Sequence, residues 1–432
     1  MLIKNATLLV LSPPRVEHKD VRIKGGLVIE SSASLRADGG EEIVDLSGRY
    51  LLPGMINAHT HLYSSLARGM DAPTRSPKNF LEILKKVWWK LDEALDDEAI
   101  YYSALVGSIE ALKFGTTTLV DHHSSPNSIS GSLDLIKESM NVVGLRGVLC
   151  YETTDRGGKS RRDDGLRENE RFADANRTNP DFRASIGAHA SFTLNDDSIE
   201  EIGKLSRSSG CGVHIHVAED RADVDDARKK RRSGIVARLK KHGLLSRKSI
   251  LAHGVHLSRN EVNVIGKSGA WLVHNPRSNM NNTVGYAPLD WLPRSTALGT
   301  DGFPADMFDE ARLGFFNNQE SSHRVPMFRF PEMLQAGQRL VSSVFNREFG
   351  SFKPGAVADF IVLDYNPPTP LNANNLASHF LFGMNSGTVV HSMVRGEWRM
   401  WNREVVGMDE EEIFSRASKV AERLWKRIEK KR

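Results

Sequence analysis

Eight short β-prone runs recur between residues 54 and 302, and most segments between them have room for a helix. They are GMINAH (54–59), TTTLVDHH (116–123), GLRGVLCY (144–151), RASIGAHA (183–190), GVHIHVAE (212–219), SILAHG (249–254), AWLVHN (270–275) and TALGTDG (296–302). Several intervening segments carry helical spacing. NFLEILKKVWWKLDEAL is one, and SGIVARLKKHGLL ends with Gly243 at a C-cap position. Strands alternating with helices in this way over roughly 250 residues are the pattern of an α/β fold of the (β/α)8, TIM-like barrel type. The weakest unit joins runs seven and eight, where PRSNMNNTVGYAPLDWLPRS reads mostly as loop.

The two ends of the chain have a different texture. LIKNATLLVL, DVRIKGGLVIE and EEIVDLSGRYLLPG at the start are matched by VADFIVLDY, VVHSMVRGEWRMW and REVVG near the end. The economical organisation is a small β-sandwich built from residues 1–53 plus 350–407, with the barrel inserted as 54–349. A chain of 432 residues has the length for one large domain plus a smaller one. In 408–432, Ile413, Ala417, Val420, Leu424 and Ile428 share one stripe, and an acidic start and basic end suit the helix dipole, so a packing helix is expected.

The formal net charge of +4 argues against a dedicated nucleic-acid binder. RKKRR (228–232) reads as a solvated helix face. Cys150 and Cys211 read as buried reduced thiols, no stretch approaches 18 apolar residues, and the N-terminus lacks signal-peptide character. The expectation is a cytoplasmic protein without membrane or nucleic-acid partners.

HxH pairs occur twice, at His59/His61 and His214/His216, where chance placement of 15 histidines gives about half a pair. That excess alone decides little; position decides more. His59 and His61 close run one, His189 run four, His216 and Glu219 run five, His253 run six, His274 run seven and Asp301 run eight. Strand C-terminal ends surround one mouth in such a barrel, and side chains at i and i+2 share a face. A ligand set of His59, His61, His216 and Asp301 follows. Neutral imidazoles with a carboxylate suit one Zn2+, with Fe2+ open from the same ligand types. Run four has no lysine to bridge a second ion.

The series NAHTH, HIHVAED, LAHG, LVHNPRSNMN, LGTDG resembles the amidohydrolase superfamily, in its mononuclear aminohydrolase/chlorohydrolase branch. KVWWKLDEALDDEAIYYS, VDHHSSP and CYETTDR are similar to the SsnA-type aminohydrolases within it. The resemblance implies that Glu219 shuttles the proton, His253 hydrogen-bonds the developing oxyanion and Asp301 doubles as ligand and base. It further implies that His189 orients substrate, and that His216 rather than His214 is the ligand, leaving His214 behind it. The reaction implied is hydrolysis of non-peptide C–N bonds, foremost deamination of a nitrogen heterocycle. Chlorohydrolase action on an s-triazine-like ring and a non-catalytic binding barrel are the alternatives, and homo-oligomers occur among related enzymes. His122, His123, Glu152, Arg277, Ser278 and Asn279 are placed to face a small polar nitrogen-containing substrate or to tie loops together. Trp88 and Trp89 are expected to pack.

Overall fold

The structure is a computed structural model that describes residues 1–73, 75–231 and 233–430, with the side chains of 230 and 231 left aside. All eight runs form strands: β1 Met55–Thr60, β2 Thr116–His123, β3 Arg146–Tyr151, β4 Ile186–Ala190, β5 Val213–Val217, β6 Ile250–His253, β7 Trp271–His274 and β8 Thr296–Leu298. β1 pairs with β2 and β2 with β3, and β4 to β8 each pair with the next, all in parallel. Between β3 and β4 a short lead-in strand, Phe182–Ala184, lies against β3, and Thr153 pairs with Ala188 to carry the sheet across. A parallel pairing of Thr60 with Asp301 closes β8 onto β1. The ring is therefore complete, a TIM-type barrel.

Closure depends on close backbone approach. The amides of Thr300 and Asp301 donate to the His59 carbonyl at 2.9 and 3.0 Å. A Cβ on Gly299 would lie 2.6 Å from Asn275 Oδ1, 2.7 Å from Val273 and 2.8 Å from the His59 nitrogen, so only glycine fits there. Ile56, Ala58 and Ala297 share a buried cluster with Ala336, Leu340 and Val341 of the helix Arg329–Phe345. The loop between β7 and β8 holds only a short helix, Pro276–Asn281.

Both chain ends enter one nine-stranded sheet rather than separate small sheets. Its seam is the antiparallel pairing of Tyr50–Pro53 with Phe360–Leu363. Ile3, Leu8, Val21, Leu51, Phe360, Val362 and Met393 form its separate buried cluster. The region 350–407 is not purely β, because Leu376–Phe382 is a helix that buries Leu376, Phe380 and Leu381. The C-terminal helix Glu410–Glu429 buries Ala417, Val420, Leu424 and Ile428, capped by Asp409 and anchored by Trp425 Nε1 to the Leu66 carbonyl at 2.8 Å. Ile413 is only partly covered. Residues 431 and 432 of that expected helix lie outside the described residues.

The helix Arg221–Arg231 exposes Arg228 and Lys229. Arg232, the end of the basic run, lies outside the described residues. Both cysteines are free thiols, Cys150 buried and Cys211 half-buried. Among the described residues no helix is long and apolar enough to cross a membrane.

Candidate active site

The C-terminal ends of β1, β5 and β8 bring His59, His61, His216 and Asp301 together, with one ligand atom of each within 4.8 Å of the others. Asp301 Oδ1 stands 2.9 Å from His61 Nε2 and 3.2 Å from His59 Nε2, and the Nε2 atoms of His61 and His216 face each other at 3.2 Å. The opposite ring nitrogens are already occupied. His59 Nδ1 meets His214 Nε2 at 2.9 Å, His61 Nδ1 meets the His122 carbonyl, and His216 Nδ1 meets the His189 carbonyl at 2.9 Å. A ring that donates from Nδ1 keeps its Nε2 lone pair free, so the lone pairs converge on one point. Burial pushes the His216 pKa down to about 3 and that of His59 well below its ordinary value, which keeps both rings neutral. Burial also pushes the Asp301 carboxyl up, but the His59 and His61 rings outweigh it and hold it well below the usual carboxylate range. Burial lowers the His61 pKa, but its hydrogen bond to Asp301 and the Asp301 charge outweigh it and raise it to about 9, so this ring holds a proton that an incoming cation displaces. Three imidazoles, neutral once that proton leaves, and one carboxylate suit a single divalent ion.

The supporting layer is built from the same strands. His214 of β5 sits behind His59 and 3.8 Å from Cys150 Sγ, so it lies beneath the cluster, where the resemblance implied it. The Ser278 hydroxyl donates to Asp301 Oδ2, and Asn279 Oδ1 lies 2.9 Å from His253 Nδ1. Both residues follow β7 and steady the mouth. Ala218, His253 and Asp301, at the ends of β5, β6 and β8, all have positive φ (49°, 74° and 54°). Non-glycine residues in that region store strain, and their clustering here marks a mouth shaped for chemistry.

Above the four clustered groups opens a cleft with about 520 Å³ of empty space, its open mouth included. Glu219 and Asn282 line it, as do His189, Glu152, Asp92, Trp88 and Trp89. Glu219 Oε1 accepts from Asn282 Nδ2 at 3.2 Å, and Glu219 Oε2 lies 3.6 Å from His253 Nε2, an atom without a hydrogen-bond partner. Burial, seconded by the Asp301 charge, pushes the Glu219 carboxyl up to about 7 against the pull of His253. A carboxyl that carries a proton near neutral pH beside a clustered ligand set is equipped to give that proton up. His189 Nδ1 is held by Thr193 Oγ1 at 2.8 Å, which turns its other nitrogen to the cavity.

Three residues expected either to face substrate or to tie loops together lie off the cavity lining. Arg277 pairs with the fully buried Glu310 and donates to the Pro304 carbonyl at 2.6 Å, so its charge is consumed in tying the β7 loop to the β8 loop. His122 is fully buried beneath the mouth, with Nε2 3.1 Å from the Ala188 carbonyl, and His123 turns to Ser125 Oγ at 2.8 Å. Neither histidine lines the cavity. Conversely, Trp88 and Trp89 do line it. The expected single helix 79–95 is broken by a π-type turn over Leu84–Trp88 between two short α segments, and this widened turn sets the segment across the mouth. Asp92, Asn282 and Arg156 were also missed. Asp92 follows Trp89 by three residues on the same helical segment, the one sequence clue to its place.

A closed barrel whose mouth gathers three imidazoles and a carboxylate beside a glutamic acid raised to about 7 is the arrangement of a barrel enzyme that could hold a divalent ion. Comparison with known proteins narrows the class. Residues 50–399 match the model of the amidohydrolase family. The chain is 31% identical to the 5'-deoxyadenosine deaminase of Methanopyrus kandleri, over 98% of this chain and 96% of that protein. It is 28% identical to the 5-methylthioadenosine/S-adenosylhomocysteine deaminase of Caldanaerobacter subterraneus, over 98% of each. The crystal structure of an adenosine deaminase from Xanthomonas campestris with bound zinc superposes with a TM-score of 0.86 at 22% identity, covering 98% of both chains. The protein belongs to the amidohydrolase family, as a hydrolase acting on carbon–nitrogen bonds other than peptide bonds.

Proposed function

We propose that the protein hydrolytically deaminates the adenine ring of an adenosine derivative, with His59, His61, His216 and Asp301 holding a divalent ion. The observation that carries this reading is the convergence of those four groups beside Glu219 and His253 at one mouth. The deaminase relatives, aligned over nearly the whole chain, supply the adenosine class.

A divalent ion held there would supply a water already primed for attack at neutral pH and polarise the carbon under attack. The chain's own residues do the rest. Asp301, with Oδ2 steadied by Ser278, takes the proton released from that water. Glu219 donates its proton to the ring nitrogen beside the attacked carbon; as the C–N bond breaks it regains a proton from the oxygen of the tetrahedral species, while Asp301 gives the leaving amine the proton it took from the water. His253 Nε2, 3.6 Å from Glu219, stabilises charge that develops on oxygen only as the tetrahedral species forms, which is where such help lowers the barrier. His189 and Glu152 orient the ring, and the two tryptophans cover it and exclude water.

Zinc is the ion of this reading, and iron(II) the alternative open to the same ligands. It also takes 1–53 with 350–407 as a composite β-sandwich unit, 54–349 as the catalytic barrel and 408–432 as a packing helix. The sheet that joins both ends, with its own buried cluster, supports that division. The protein is read as cytoplasmic, with a small polar substrate and neither nucleic acid nor membrane as partner; a homo-oligomer stays open by analogy with related enzymes.

The test is a panel of adenosine derivatives, other purines, pyrimidines, pterins and chlorinated triazines, assayed for ammonia and chloride release. Ammonia from a 5'-modified adenosine is the expected result. Chloride release without any deamination would overturn the reading in favour of chlorohydrolase chemistry.

A further inference from the structure

One wall of the cavity carries two carboxylates that the chemistry above leaves without a balancing charge from the ion. Asp92 comes from the helix Trp89–Ala94 that crosses the mouth, and Glu152 follows β3 in the barrel itself. Both are buried, 2% and 4% exposed. A single side chain joins them: Arg156 Nη2 donates to Glu152 Oε1 at 2.8 Å and to Asp92 Oδ2 at 3.2 Å. The same guanidinium lies over the Trp89 ring, 4.7 Å from its centroid. Trp89 Nε1 and Asp92 Oδ1 are buried without a hydrogen-bond partner at a surface that lines the cavity.

Two buried carboxylates do not stay side by side without a cation, because desolvation and mutual repulsion would force one to take a proton or turn outward. The group that answers both charges here also sits over an indole, a place that suits a weakly hydrated guanidinium better than a compact, strongly hydrated ammonium. Elsewhere Phe80 and Leu84 pack the crossing segment against Val255 and Val284, and its far end is tied by Asn127 Nδ2 to the Glu93 carbonyl at 2.6 Å and by Arg427 Nε to the Ala94 carbonyl at 2.7 Å. Arg156 is a charged tie that reaches the cavity wall.

We propose that Arg156 is a positioning residue: by holding Asp92 and Glu152 together beside Trp89, it fixes the cavity wall that receives the substrate. It acts through those residues, not on the reacting atoms. The kinetic half of this inference rests on the deaminase reading; the structural half does not.

Two measurements on the metal-loaded full chain decide it, comparing wild type with Arg156→Gln and Arg156→Lys. Hydrogen exchange of the ligand-free protein should show amides of 80–92 opening at least tenfold faster in Arg156→Gln, with the barrel strands unchanged. With a turned-over adenosine derivative, KM should rise at least tenfold while kcat stays within threefold and metal content stays at one ion per chain. Arg156→Lys, which keeps the charge but not the plane, should fall between the two in both readouts. If Arg156→Gln does not fold, Arg156→Gln/Asp92→Asn removes one of the carboxylates left unpaired and carries the same comparison. Unchanged exchange in 80–92 overturns the proposal, whatever happens to KM, because Arg156 then touches substrate directly or does nothing. Faster exchange with unchanged KM overturns it too. A wild type that releases ammonia from no nucleoside refutes the deaminase reading instead, and the exchange result alone then judges Arg156.

Discussion

Glu219→Gln separates proton delivery from metal binding more cleanly than any other single change. Glutamine keeps the size of the side chain and an oxygen to accept from Asn282 Nδ2, now 3.2 Å from Glu219 Oε1, but it has no proton to give. Glu219 is not among the four clustered ligands, so metal content should stay at that of wild type. General acid catalysis contributes roughly 10²–10⁴-fold in rate, which at 1.36 kcal/mol per tenfold is about 2.7–5.4 kcal/mol of barrier. The wild-type pH profile follows from the same group. Its pKa is raised, to about 7, and the protonated form is the active one. Activity is therefore present below that value and lost above it, with kcat/KM falling about tenfold per pH unit, or roughly 100-fold between pH 7 and pH 9. The charge of the bound ion draws that midpoint down and never up. Steady-state ammonia release from pH 5.5 to 9.5, with metal analysis of each preparation, reads both effects. A Glu219→Gln enzyme that keeps its metal and turns over within threefold of wild type would refute the assignment. So would a wild-type rate that climbs steadily from pH 7 to pH 9.

Other expectations follow from the same geometry. His214→Ala removes the ring that holds His59 Nδ1 at 2.9 Å and should weaken zinc binding about 10–100-fold, measured by competition with a chromophoric chelator. Chelation should lower Tm, and zinc at about one hundred times its Kd should restore roughly 2.7 kcal/mol of stability; an unchanged Tm would mean that the four groups are held together without the ion. Gly299→Ala forces a Cβ to within 2.6–2.8 Å of Asn275, Val273 and the His59 nitrogen. It should cost about 1–3 kcal/mol by denaturant unfolding, with metal affinity reduced because His59 must shift.

The barrel was legible because its strands are short and apolar and end in chemically distinctive residues. Run two was expected at 116–123 and forms β2 over Thr116–His123, while the short strand Thr296–Leu298 takes only the first half of the expected 296–302. The meeting of His59, His61, His216 and Asp301 was legible for the same reason, since groups at the strand ends gather at the mouth. What the chain did not disclose lies in residues whose direction depends on tertiary packing. His122 and Arg277 stand at the ends of strands two and seven, as a substrate contact would. Yet backbone carbonyls take the imidazole of one and Glu310 the guanidinium of the other. Trp88 and Trp89 fit an amphipathic helix as packing residues. Only the broken helix that crosses the mouth turns them into a cavity wall. Asp92 and Arg156, 64 residues apart, have no local pattern that joins them.

Crystallography at the zinc absorption edge tests the metal centre most directly. The proposed coordination predicts one anomalous peak per chain, with His59 Nε2, His61 Nε2, His216 Nε2 and an Asp301 oxygen each about 2.0–2.2 Å from it. A zinc-saturated crystal with no peak at the barrel mouth, or one ligated by other side chains, would contradict it.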